Sequence, residues 1–222
     1  DSGKVGSSGW AGVLQSSFAN SSLEMAAKNE GIKVDKDKIQ KAREYQKSNY
    51  NPDSQSAKTE DGAGIMLYAV SSSVRNSAEE AKEANQLFKK AKAEGKIERD
   101  AVLNEQNLER LGYSKEKAKS YDVANKVYNS AKVTAMKEDV LSGFGNNGGE
   151  EFLSFLQTGE SMVVNHDDDW KKWYDNIGGR MMQIQNADGS WNGHHCITSP
   201  SFCTATCLMI LSIENDIKNL QK

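Results

Sequence analysis

The sequence predicts an all-α fold of paired helical hairpins, and three observations carry that reading. Only 2 prolines occur in 222 residues, so long stretches can run as helix without interruption. The 18 glycines gather between those stretches, where they end helices rather than break them. Apolar residues recur at spacings of three and four, as in Tyr121, Ala124, Tyr128, Ala131 and Ala135, which puts them on one helix face.

Residues 1–16 read as an irregular glycine and serine lead-in carrying Trp10. A helix is expected from Ser17, with Phe18, Leu23 and Met25 as apolar groups, Ser16 or Ser17 as N-cap and Gly31 as the stop. Asp35 then caps a second helix through Ile39, Ala42 and Tyr45, which completes an αα-hairpin. Residues 49–64 are rich in Asn, Ser, Asp and Gly and read as a loop. Another helix is expected to start at 64–70, and Asn76 or Ser77 to cap the next one, which runs through Leu87 and Phe88 to Gly95. Residues 97–139 continue as charged amphipathic helices interrupted at Gly112. The glycines and asparagines of 143–149 form a candidate hinge within a single domain of residues 1–222. It separates helical hairpins (1–140) from a distinct region (150–222), in which helices are expected over 170–184 and 202–213. Trp170, Trp173 and Ile177 share a face of the first of these.

Charge excludes one class of function. Against 28 Lys plus Arg stand 31 Asp plus Glu, a net charge of -3, so no basic excess is available for sequence-independent nucleic-acid binding. No run of about 18 apolar residues is present, and no membrane span is expected. The start Asp1-Ser2-Gly3-Lys4 reads as a processed chain or a piece of a longer one. Processing by a signal peptidase would place it in an extracytoplasmic, oxidising compartment or outside the cell, but the sequence leaves the location open. Mean hydropathy is -0.70, yet three of the four tryptophans and every histidine and cysteine follow residue 140. Recognition or chemistry is therefore expected in that region.

A pattern of tryptophan, loop, Ser-Phe, two small residues and helix occurs twice, from Gly9-Trp10 into Ser17-Phe18 and from Trp191 into Ser201-Phe202. Such self-similarity is a mark of repeat architectures. In the second copy Gln185, Gly189 and Trp191 stand between two expected helices. This spacing resembles the QW motif of the prenyltransferase and squalene-hopene cyclase superfamily. The resemblance is sharpest over 165–215, weaker over 9–50 and 61–95, and absent from 96–140. Arg180 and Met181 stand where the family motif opens with aromatic and basic residues. The resemblance implies a short or partial α/α toroid. Physically, Gln185 would bond free carbonyls at a helix end and the amides of the next repeat, Gly189 would allow the turn, and Trp191 would seal the joint.

Family chemistry needs residues that can be looked for. Alkene-protonating cyclases use Asp-x-Asp-Asp, and pyrophosphate-ionising enzymes use Asp-Asp-x-x-Asp. The run His166-Asp167-Asp168-Asp169-Trp170 fits neither, and reads as a helix cap, with calcium or magnesium binding as the alternative. The prenyltransferase zinc pair Asp-x-Cys is missing, because His194, Ser201 and Ala205 precede the three cysteines by two residues. His194, His195, Cys196, Cys203 and Cys207 form the other metal-like group, a weak zinc candidate. A Cys196–Cys203 disulfide would form in an oxidising compartment and leave Cys207 as a buried thiol.

About four helix pairs are too few to enclose a cyclase cavity. The expected function is a non-catalytic binding or scaffold module, without a cofactor, presenting residues 188–200 with Asp188, Trp191, His194 and His195 as binding candidates. Its partner would be another protein or a parent chain, with an apolar small molecule as a further candidate ligand. The alternative is a terpene cyclase or prenyltransferase fragment acting on an apolar isoprenoid.

Overall fold

The computed structural model describes residues 4–5, 12–29 and 31–221. The expectations for Gly9 and Trp10 lie outside these. The described chain is all-α, with ten α-helices, a short two-stranded ribbon and one 3-10 turn, Glu60–Gly62. The helices are α1 (Gly12–Ala27), α2 (Lys36–Ser48), α3 (Met66–Ala93), α4 (Glu105–Arg110), α5 (Lys115–Ala135), α6 (Glu138–Leu141), α7 (Gly149–Val164), α8 (Trp170–Gln183), α9 (Pro200–Leu211) and α10 (Ile213–Leu220). In the ribbon, β1 (Tyr50–Asn51) pairs antiparallel with β2 (Ser56–Ala57), Tyr50 opposite Ala57. Among the described residues no helix is long and apolar enough to cross a membrane.

Capping explains several boundaries. Asp35 accepts the amide of Asp37 and starts α2, Asn104 accepts that of Asn107 at α4, and Ser114 accepts that of Lys117 at α5. Ser199 caps α9, whose first residue is Pro200. The α5 stripe of Ala118, Tyr121, Ala124, Tyr128, Ala131 and Ala135 is buried, as its spacing predicts.

Two expected boundaries are corrected. Helix α1 begins at Gly12 rather than Ser17, and both candidate caps lie inside it. The Ser16 hydroxyl donates to the Gly12 carbonyl at 2.7 Å, and the Ser17 hydroxyl donates to Gln157 Oε1 at 2.8 Å. Nor does a helix end near Asn76: α3 runs unbroken for 28 residues. Ser73, Asn76 and Ser77 donate to the carbonyls four residues back, at 2.9, 2.9 and 2.6 Å, so they satisfy themselves within the helix instead of capping a new one.

Helix α3 packs against α1, α2, α5 and α7, and α7 packs in turn against α8, α9 and α10. Among the described residues three buried apolar clusters result. Tyr68, Phe152, Phe155, Trp173, Ile177, Trp191 and Ile210 belong to the largest. Val74, Ala78, Val127 and Tyr128 form the second, and Ala84, Phe88, Leu108 and Tyr121 the third. At the α7–α8 contact a Cβ on Gly159 would stand 2.4 Å from the Trp173 ring. Gly159→Ala is therefore expected to lower stability by about 1–3 kcal/mol through overpacking. Gly179→Ala, on α8 with nothing near its Cβ position, should raise it by about 0.5–1 kcal/mol. Urea unfolding midpoints of the two variants check this opposite response.

Candidate functional site

The site is built where α8 ends and α9 begins. Gly189 takes a φ of 84°, which lets the chain reverse. Around it, Gln185 Nε2 donates to the Gly189 carbonyl at 2.9 Å, and Asp188 Oδ1 accepts the Ser190 amide at 3.0 Å and its hydroxyl at 2.6 Å. Those two donors hold the Asp188 carboxyl below its usual range. Gln185 thus clasps its own turn and does not reach the helix end. Trp191 does: its indole N–H donates to the Met181 carbonyl at 2.9 Å, satisfying one of the last carbonyls of α8. Its own amide donates to Thr204 Oγ1 at 3.0 Å, and the hydroxyl returns a bond to the Trp191 carbonyl at 3.3 Å. With 2 % of its surface exposed, Trp191 is packed into the joint between α8, the turn and α9. Asp188, His194 and His195 are exposed beyond it.

The glycine-rich segment 143–149 docks beneath this loop. The His194 amide donates to the Asn147 carbonyl and the Gly149 amide to the Ile197 carbonyl, both at 2.8 Å. Gly193 and Gly148 permit the contact, since a Cβ on Gly193 would lie 2.9 Å from the Gly148 Cα. Two buried carboxylates on the first turn of α7 complete the joint. Glu150 Oε2 accepts the Ile197 amide at 3.4 Å, while Glu151 accepts the Gly145 amide at 3.0 Å and the Asn147 amide at 3.2 Å. Burial pushes the Glu151 pKa up to about 7, against the opposing pull of those two amides.

No disulfide joins Cys196 to Cys203 in the structure. All three are free thiols: Cys196 is exposed on the loop, Cys203 and Cys207 are buried in α9. The Cys203 thiol donates to the Ile197 carbonyl at 3.7 Å, and burial raises its pKa and pushes that of Cys207 up to about 12. Neither is an activated nucleophile. Among the described residues no three His, Cys, Asp or Glu side chains converge as a metal site.

The acidic run is likewise engaged. Asp167 accepts the Tyr128 hydroxyl at 2.9 Å, the Lys132 ammonium at 2.6 Å and the Asp169 amide at 2.9 Å. Asp169, at the N-cap position of α8, makes no side-chain cap bond. It lines a cleft of about 210 Å³ with Met136, Met162 and Trp173, and neither His194 nor His195 lines that cleft.

Sequence reading missed a buried polar belt that ties α1 and α2 to the central helices. Gln157, Ser17, Asn76 and Asn20 are linked in sequence by hydrogen bonds. Beyond them Glu24 accepts Arg43 Nε at 2.7 Å, and Glu80 accepts Lys47 at 2.6 Å and Ser120. The signal was present as Ser17, Asn20 and Glu24 and as Ser72, Asn76 and Glu80, polar groups at helical spacing on faces otherwise short of large apolar residues.

Comparison with protein-family models, with curated proteins and with solved structures returns no match.

Two measurements follow from this geometry. A thiol reagent should modify Cys196 rapidly in the folded protein and Cys203 and Cys207 only on unfolding, as peptide mapping of the labelled chain would show. Thr204→Val leaves the Trp191 amide without its partner and should cost about 1–3 kcal/mol in denaturant unfolding.

Proposed function

We propose that the chain is a non-catalytic binding or scaffold module built on a helical repeat of the prenyltransferase and squalene-cyclase kind. Its working surface is the 188–200 loop together with the outer face of α9, and its partner is another protein or the remainder of a parent chain. One observation carries this reading. Helix α9 has no charged residue from Pro200 to Leu211, yet Leu208 and Met209 are 54 % and 52 % exposed. An uncharged helix that leaves two large apolar side chains bare has an outer face suited to a partner.

The surroundings agree with a module. Trp173 and Trp191 are packed between helices, Asp167 is neutralised by Lys132, and the cleft touching Trp173 is also lined by Lys132, Asp169 and Lys172. None of this resembles an acid poised over an apolar cavity. The repeat-like architecture is supported by the α8–turn–α9 joint, in which Gln185, Gly189 and Trp191 each have a local structural task.

A photo-crosslinking residue tests the surface. Placed at Leu208, it should trap one discrete partner from a native extract, and that adduct should vanish when Met209→Asp is added. The same probe at Val102, which is 66 % exposed on another face, should trap none. Met209→Asp alone should change stability by less than about 0.5 kcal/mol, because the side chain is exposed. Equal labelling from both positions, or turnover of an isoprenoid substrate by the purified chain, would overturn the reading.

A further inference from the structure

We propose that the buried polar belt between α1, α3 and α7 is a binding site for water, and that about two ordered water molecules form part of the seat of α1. From Ser16 to Glu24, α1 buries Ser16, Ser17, Asn20, Ser21 and Glu24, so water bonded to both sides supplies the contact that apolar packing gives elsewhere. The belt shares no residue with the 188–200 loop or with α9, and the site is separate from the proposed working surface.

Hydrogen bonds fix which way each carboxamide faces. Asn76 Nδ2 donates to the Ser72 carbonyl at 2.9 Å and to Ser17 Oγ at 2.7 Å, which turns Asn76 Oδ1 toward Asn20. Asn20 must then present its Nδ2, which also reaches Glu24 Oε1 at 3.5 Å, and its Oδ1 is left over. At the other end Ser17, having accepted from Asn76, donates to Gln157 Oε1, and Gln157 Nε2 is left over. Flipping Asn20 would set oxygen against oxygen, and flipping Gln157 would take the acceptor from the Ser17 hydroxyl. Ser72 Oγ, one turn before Asn76, is likewise without a partner, as are Glu24 Oε2 and Arg75 Nη1, which stand 3.7 Å apart and so beyond hydrogen-bond reach. All five side chains that carry these atoms are nine-tenths or more buried, and folded interiors leave few such groups unpaired.

The chemistry of these atoms selects the occupant. Asn20 Oδ1 and Glu24 Oε2 accept, Arg75 Nη1 and Gln157 Nε2 donate, and Ser72 Oγ does both. A metal ion would serve only the acceptors, and an anion only the donors. Charge is already matched. Glu24 accepts Arg43 Nε at 2.7 Å and faces Arg75, while burial raises the pKa of Glu160 on α7 and Arg75 opposes that rise. The two guanidinium groups thus have two carboxylates, and no net charge is left for an ion to neutralise. Water is neutral, donates and accepts, and makes about three hydrogen bonds when buried, so about two molecules satisfy the whole set.

A room-temperature crystal structure of the unaltered protein at atomic resolution, with a second crystal soaked in rubidium bromide, tests the assignment. Discrete density peaks should lie within hydrogen-bond distance of Glu24 Oε2, Arg75 Nη1 and Gln157 Nε2, and none of them should gain anomalous signal from rubidium or bromide. A rubidium peak on the Asn20 and Glu24 oxygens would make the belt a cation site, and a bromide peak beside Arg75 an anion site; either overturns the proposal. So does a direct Arg75 to Glu24 hydrogen bond with no separate peak beside it, because the belt would then close on itself. No partner enters this measurement, so its failure is distinct from failure of the crosslinking experiment.

Discussion

Helix α3 spans 28 residues, about 42 Å at 1.5 Å per residue, and each of the three apolar clusters is built on a different stretch of it. Tyr68 belongs to the first, Val70 to Ala81 to the second, and Ala84 to Ala91 to the third. A break near Asn76 would leave the second cluster without its floor. Alanines along the helix let neighbours approach closely, while Ser73, Asn76 and Ser77 return their hydrogen bonds to the backbone four residues before them. The continuity of one polar-looking helix thus sets where α1, α2, α5 and α7 can pack.

The periodic, exposed elements were the legible ones. The α5 stripe, the Asp35 cap and the helix starting at Trp170 follow from spacing and capping residues alone. The central helices were harder because burial on every side removes the contrast between faces that periodicity detects. Helix α7 went unread: Ser154, Gln157, Thr158 and Ser161 interrupt its apolar pattern, yet all four are buried. Their hydroxyls and carboxamide pair with preceding carbonyls or with Ser17. The same ambiguity placed helix starts at Ser17 and Asn76, where local preference for a cap lost to tertiary partners.

The candidate site was partly legible. Gln185, Gly189 and Trp191 stand out by spacing, and each is engaged at the α8–α9 joint, although it is Trp191 and not Gln185 that meets the end of α8. The pairing of residues 143–149 with 193–197 could not be read, because nothing local in a glycine and asparagine run names its partner. Glu150 and Glu151 carry no local sign of burial in the sequence. Only the docked loops show that they are buried and that the exposed loop is held from beneath.

The central claim, that α3 is a single helix sealed through its middle, is tested most directly by native-state hydrogen exchange at increasing denaturant. The account predicts that the amides of Arg75, Asn76, Ser77 and Ala78 exchange only with global unfolding, on the same isotherm as those of Val70 and Ala84. Exchange of those four amides by a low-energy local opening, with Val70 and Ala84 still protected, would contradict it.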